Sequence, residues 1–221
     1  MNPRSVPVIG GRWRAAVALV LALGTAACGT TYKDHVIDPG QVYEGQPLVS
    51  PLPLTVGLHY GSALRGYEAD VSRSTGSRVD RYHLRLGAAS MALFDRILAA
   101  QFAAVRPVED VPTPAADRPD LDAVIDVSIR SAGLMSVDYD LTLYTPRGSV
   151  IATFDANGSI YTGDLDEETV MRGLRVAMRN AAAKFLVEFP GDPDVVAWLQ
   201  RSDSGASLAM EPAPRLDEPA E

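Results

Sequence analysis

Three stretches of the chain alternate hydrophobic and polar positions, and two others repeat their apolar positions every three or four residues. In LPLTVGLHYG (52–61), Leu54, Val56, Leu58 and Tyr60 face one way and Thr55, Gly57 and His59 the other, the period of a half-buried strand. DAVIDVSIRS (122–131) directs Ile125, Val127 and Ile129 inward, and VDYDLTLY (137–144) does the same with Val137, Tyr139, Leu141 and Leu143. Between this pair and SVIATFDANGSIYTG (149–163) lies TPRG (145–148), with proline second and glycine fourth as a type I turn favours. The segment 122–162 therefore predicts an antiparallel meander with one wet face, broken at Asn157-Gly158.

The helical spacings lie on either side of that meander. Residues 86–105 place Ser90, Phe94, Ile97, Leu98, Phe102 and Val105 on one stripe, running into a short strand at VRPVED, and Val170, Leu174, Ala177, Met178, Ala181 and Phe185 form a second stripe. Asp164 or Asp166 can cap the second helix, Pro190 ends it, and DVVAWLQR (194–201) supplies a short last helix. The prediction is an α+β domain: a mixed, mostly antiparallel sheet of four or five strands, two helices packed on one face, and a short C-terminal helix. The body spans 52–200. Residues 62–85 read as a polar loop with a mobile turn at RSTGSR. Residues 28–51 read as a Pro/Gly-rich tether, and 201–221 as an acidic, Pro/Ala-rich tail without order.

The first 27 residues change the picture. Arg4, Arg12 and Arg14 precede an apolar run from Ala15 to Leu23, and small residues follow to Ala27. This is the layout of a secretory signal peptide, too short to span a bilayer. The chain's one cysteine, Cys28, comes next. Thr25-Ala26-Ala27-Cys28 resembles the bacterial lipobox, whose cysteine takes a diacylglycerol thioether and becomes the mature N-terminus. Thr25 stands where that motif prefers Leu, Val or Ile, so ordinary cleavage after Ala27 is the alternative. Two or three acyl chains hold a protein firmly, where one binds only marginally. A single cysteine precludes an internal disulfide.

Loss of the leader's three arginines takes the net charge from −8 to −11, which argues against nucleic acid as a partner and against direct capture of anionic lipid headgroups or lipopolysaccharide unless divalent cations bridge them. Candidate chemistry is sparse. His35, His59 and His83 have no ligand spacing for zinc and read as surface residues. Ser90 lies within a helix pattern, and GSALRG (61–66) lacks the ending of a phosphate loop. Asp138 and Asp140 share a strand face; paired carboxylates can perform acid–base work or bind calcium, but on a wet, edge-facing surface they read as solvation and defence against strand-to-strand aggregation. Residues 155–168 are acid-rich, but Gly158 falls too early for a calcium loop. No catalytic residue, metal site or cofactor is assigned.

VGLHYGSALRGYE, LGAASMALFDRILAAQF and the stretch from Asp120 to Phe154 resemble a family of uncharacterised proteobacterial lipoproteins. In architecture the chain is also similar to outer-membrane accessory lipoproteins such as LptE and the YajG group. That resemblance implies a periplasm-facing lipoprotein anchored through Cys28, and Gly29-Thr30 in place of Asp fits onward sorting to the outer membrane. The function expected is a non-enzymatic accessory or assembly factor for another cell-envelope protein. The alternative is a periplasmic module binding a lipid or small apolar ligand among the alanines of the two helices.

Overall fold

A computed structural model describes residues 30–42, 51–113, 118–161, 163 and 165–208, with side chains to 201. Its elements are β1 (Thr31–Ile37), β2 (Leu52–Tyr60), α1 (Ser62–Arg65), β3 (Glu68–Thr75), β4 (Arg78–Arg85), α2 (Gly87–Gln101) and β5 (Phe102–Pro107). They are followed by β6 (Ala123–Gly133), β7 (Ser136–Tyr144), β8 (Val150–Ser159), α3 (Glu167–Glu188), a 3₁₀ turn (Phe189–Gly191) and α4 (Pro193–Leu208).

The meander appears where alternation places it: β6, β7 and β8 pair antiparallel, with Val137, Tyr139, Leu141 and Leu143 buried. At the predicted turn the Gly148 amide donates to the Thr145 carbonyl at 2.9 Å, with Gly148 at φ 82. β2 extends this sheet by running parallel to both β6 and β5, giving the order β5-β2-β6-β7-β8. Helix α2 is the crossover that a parallel β2–β5 pair requires. It stops at Gln101 rather than continuing toward Val105, because Phe102 turns to extended backbone to join the sheet.

Helices α2 and α3 cover one face of the five-stranded sheet. Phe94 of α2 meets Tyr139 edge-on at 4.9 Å, and Phe185 of α3 meets Phe154 at 5.4 Å, with Phe189 completing the cluster. Such pairs contribute about 0.5–1.5 kcal/mol each beyond area burial. Asp166 caps α3 by accepting from the Thr169 amide at 2.9 Å; Asp164 lies outside the described residues. The Thr169 hydroxyl bond and the amide bond hold the Asp166 carboxyl below its ordinary value.

Several expectations are corrected. The chain has a second, three-stranded sheet, β1-β4-β3, built from residues read as tether and as loop. β1 lies inside the 28–51 segment and pairs parallel with β4, so the folded body reaches back to Thr31. Residues 62–85 form α1 and the β3–β4 hairpin, with Gly76 at φ 60 in its turn. Both sheets are mixed, as expected, combining parallel and antiparallel pairings. Helix α4 continues to Leu208, past the predicted start of the tail.

β8 runs unbroken through Asn157-Gly158. Glycine is required there for packing, not for a turn. A Cβ at position 158 would lie 1.9 Å from the Ala177 carbonyl oxygen on α3. We predict that Gly158→Ala forces helix and sheet apart and costs about 3 kcal/mol. Thermal unfolding should register a Tm lower by roughly 6–12 °C; an unchanged Tm would contradict this packing.

Candidate functional site

The strand nearest the chain's start carries a buried polar residue. In TYKDHVI (31–37), Tyr32, Asp34 and Val36 face outward, while His35 and Ile37 are buried against the body. His35, expected at the surface, stacks on Tyr82 of β4 with ring centroids 4.8 Å apart and planes 9° from parallel. Its Nδ1 lies 3.2 Å from a Glu167 carboxylate oxygen at the start of α3. Its Nε2 faces Asp80 at 3.5 Å, an ion-pair contact without hydrogen-bond alignment.

The neighbours of His35 are themselves held. The Tyr82 hydroxyl donates to the Leu165 carbonyl at 2.5 Å, and burial pushes its pKa up. Arg78 donates to Asp80 through Nε and Nη2, at 2.9 and 2.7 Å. Desolvation would raise the Asp80 pKa, but Arg78 and then His35 outweigh it and hold the carboxyl low. The arrangement fastens β1 to β4 and to the start of α3. Sequence reading missed it because glycine and proline dominate 38–51. The available signal is compositional only: Tyr32, Val36 and Ile37 are strand-favouring types, but Tyr32 and Val36 are exposed while His35 and Ile37 are buried, so no hydrophobic alternation marks the strand.

The outward face of the small sheet is a shallow depression of about 430 Å³ lined by Asp34, Val36, Asp70, Ser72, Arg81 and His83, among others. His83, half-buried, has Nδ1 2.7 Å from Asp70 and Nε2 3.2 Å from Glu68. The Asp70 hydrogen bond raises its pKa against the opposing effect of desolvation. Beside it, the Arg81 guanidinium sits 4.3 Å from the centroid of the Tyr32 ring.

On the uncovered face of the five-stranded sheet, His59 pairs with Asp126 at 2.7 Å. Arg130 bridges Asp140 and Asp155, and these bonds raise the Arg130 pKa and lower that of Asp155. Asp138 accepts from the Ser131 hydroxyl at 2.6 Å. Edge protection is therefore the wrong account of Asp138 and Asp140: β7 lies between β6 and β8, and Arg130 and Ser131 engage the two acids. Ser90 is buried and bonded to the Tyr139 hydroxyl at 2.8 Å, a core pair rather than an exposed nucleophile. Among the described residues, no group of three or more His, Cys, Asp or Glu is placed to hold a metal ion.

The remaining feature is an edge. β8 ends the five-stranded sheet, and a depression of about 500 Å³ opens beside it. Thr153, Phe154 and Asp155 line one side, and Lys184, Val187 and Glu188 of α3 with Gly191 and Asp192 line the other. Successive strand residues point to opposite faces, so three in a row can border one depression only if the strand's edge faces it. Val187 is 76% exposed at its rim. Cys28, Thr25, Ala26 and Ala27 lie outside the described residues, and no described helix is long and apolar enough to cross a membrane.

No family model matches the chain, and no curated protein matches it. Among solved structures it is similar to protein XCC0632 from Xanthomonas campestris, of family DUF330, with 12% identity and a TM-score of 0.45. That match covers 78% of this chain and 99% of the other. It is also similar to an uncharacterised protein, with 13% identity over 70% of this chain and 99% of that one, at a TM-score of 0.28.

The raised pKa of His83 fixes the sign of a pH effect. A group whose folded pKa lies above its ordinary value near 6.5 stabilises the fold below that value and loses this contribution as pH rises through the folded pKa. Urea unfolding should show the wild type losing stability as pH rises above about 6.5, with His83→Gln flattening that slope. Parallel slopes for the two proteins would show that the Asp70 and Glu68 contacts do not persist in solution.

Proposed function

We propose that the protein is a lipid-anchored, periplasm-facing accessory factor that works by binding another envelope protein and not by catalysis. Its leader and Cys28 supply the anchor, with the outer membrane as the destination consistent with Gly29-Thr30. This role is akin to that of the accessory lipoproteins it resembles in architecture. The observation that carries the binding role is the position of β8 at the end of the five-stranded sheet, with no further strand paired to it among the described residues, beside an open depression. A partner in extended conformation can add there as a sixth strand, taking affinity from main-chain hydrogen bonds and specificity from side chains placed against α3.

Charge narrows the partner. Asp155, Glu188 and Asp192 line the groove with Lys184, and Arg130 holds Asp155 from outside it, so a neutral or basic segment fits. A second copy would bring the same acids to face these. The chain's own last residues, EPAPRLDEPAE, are acidic and contain three prolines, poor material for a strand. The ligand-binding alternative gains less support. Ala99, Ala103 and Ala183 are exposed and Ala100 and Ala104 are half-buried, while Ala181 and Ala182 pack within the core beside the α3–β8 approach.

A photo-crosslinking residue at Val187 or Thr153, expressed in intact cells, tests the reading. One discrete partner should be captured there and not from Ala88 on the exposed face of α2, and palmitate incorporation should vanish in Cys28→Ala. Absence of any adduct from the β8 edge would remove the binding role, and palmitate retained without Cys28 would remove the anchor.

A further inference from the structure

We propose that the end of the three-stranded sheet formed by the start of β1 and the β3–β4 turn lies against the anionic headgroup layer of the membrane. This rests on the anchor at Cys28 proposed above, and it replaces a long flexible stalk with a body held at the lipid surface.

Reach holds this end close to the lipid. Only Gly29 and Thr30 separate Cys28 from the first residue of β1. Three consecutive Cα steps span at most about 11 Å. A headgroup layer is about 5–8 Å thick, so an anchored Cys28 leaves Thr31 little room beyond it. Strand pairing fixes which end is near. β1 runs parallel to β4 with Thr31 opposite Arg78, and the Thr31 amide donates to the Ser77 carbonyl at 2.8 Å. The turn Thr75–Arg78 therefore lies at the same end as the first residue of β1, one strand spacing away.

The chemistry of that end suits a headgroup layer. In a chain of net charge −8, the first three rows of this sheet carry Lys33, Arg73 and Arg78 against one carboxylate, Asp80, which Arg78 grips. The turn itself contributes Ser74, Thr75, Gly76 and Ser77, small and polar and without an acid. Tyr32 is 55% exposed, and Arg81 lies over its ring in the following row. A tyrosine with basic residues beside it is the composition that settles at a membrane interface. Beyond Asp80, Asp34 stands in the fourth row and Glu167 meets His35 of the fifth. Net acidity excludes the protein surface as a whole from anionic lipid but leaves this end suited to it.

The test uses the full lipidated chain with Ser77→Cys carrying an environment-sensitive fluorophore. The chain is reconstituted into vesicles of 70% phosphatidylethanolamine and 30% phosphatidylglycerol, or into phosphatidylcholine vesicles, and a headgroup-attached quencher reports proximity. Expected are quenching in the anionic vesicles at least twice that in phosphatidylcholine, and loss of half or more of it at 0.5 M salt or in Lys33→Glu/Arg73→Glu/Arg78→Glu. A chain that floats with the vesicles at high salt while the label stays unquenched would overturn the docking and leave the anchor standing. Equal quenching in both vesicle types, with no effect of charge reversal, would overturn anionic recognition. A chain that fails to float at high salt would overturn the anchor and this inference together.

Discussion

The pairing of seven residues, Thr31–Ile37, with β4 decides what kind of molecule this is. Without it the chain would be a domain at the end of a stalk more than twenty residues long; with it the folded body begins three residues after the cysteine. Seven ladder positions alone make a marginal edge strand. What fastens it is burial of Ile37 and the His35 ring, stacked on Tyr82 and flanked by Asp80 and Glu167. A histidine is an expensive residue to bury; here Nδ1 is met by the Glu167 carboxylate, and the Asp80 carboxylate stands 3.5 Å from Nε2 without hydrogen-bond alignment. The contact ties three separate parts of the chain, β1, the hairpin and the start of α3, into one unit.

The large sheet was legible in the sequence because its signals are local. Alternation at 122–144 and the stripes ending in Phe94, Ile97, Leu98 and in Leu174, Met178, Phe185 each contain enough repeats to determine both period and face. The small sheet was not legible, and the reason is physical. β3 and β4 are exposed on one side and rich in Ser, Arg and Asp, so their alternation is diluted by charge. β1 pairs with a strand more than forty residues away in the chain, which no local period reports. Gly158 misled in the other direction: beside asparagine it looks like a turn, yet its role is to admit the Ala177 carbonyl. The histidines show the same limit, since His35 became a core residue only once β1 existed to bury it.

The polar groups that drew attention in the sequence are largely engaged by one another. Arg130 takes Asp140 and Asp155, Ser131 takes Asp138, Asp126 takes His59, and Tyr139 takes Ser90. Two features are less fully used: the outer edge of β8 beside a groove, and the basic end of the small sheet. In the adaptor proposed above, the edge would take a protein strand and the end would meet the lipid surface. The acidic remainder of the molecule would keep both contacts selective, because a negative surface resists nonspecific adhesion to headgroups.

Hydrogen exchange of the backbone amides in residues 31–37 tests the central claim most directly. The account predicts that the paired amides of β1 in the wild-type chain are protected to a degree comparable with β4. It also predicts that His35→Ala speeds their exchange while β6–β8 stay unchanged. Exchange at the rate of an unfolded peptide in the wild type would contradict it, returning residues 28–51 to a tether and the body to a distance from its anchor.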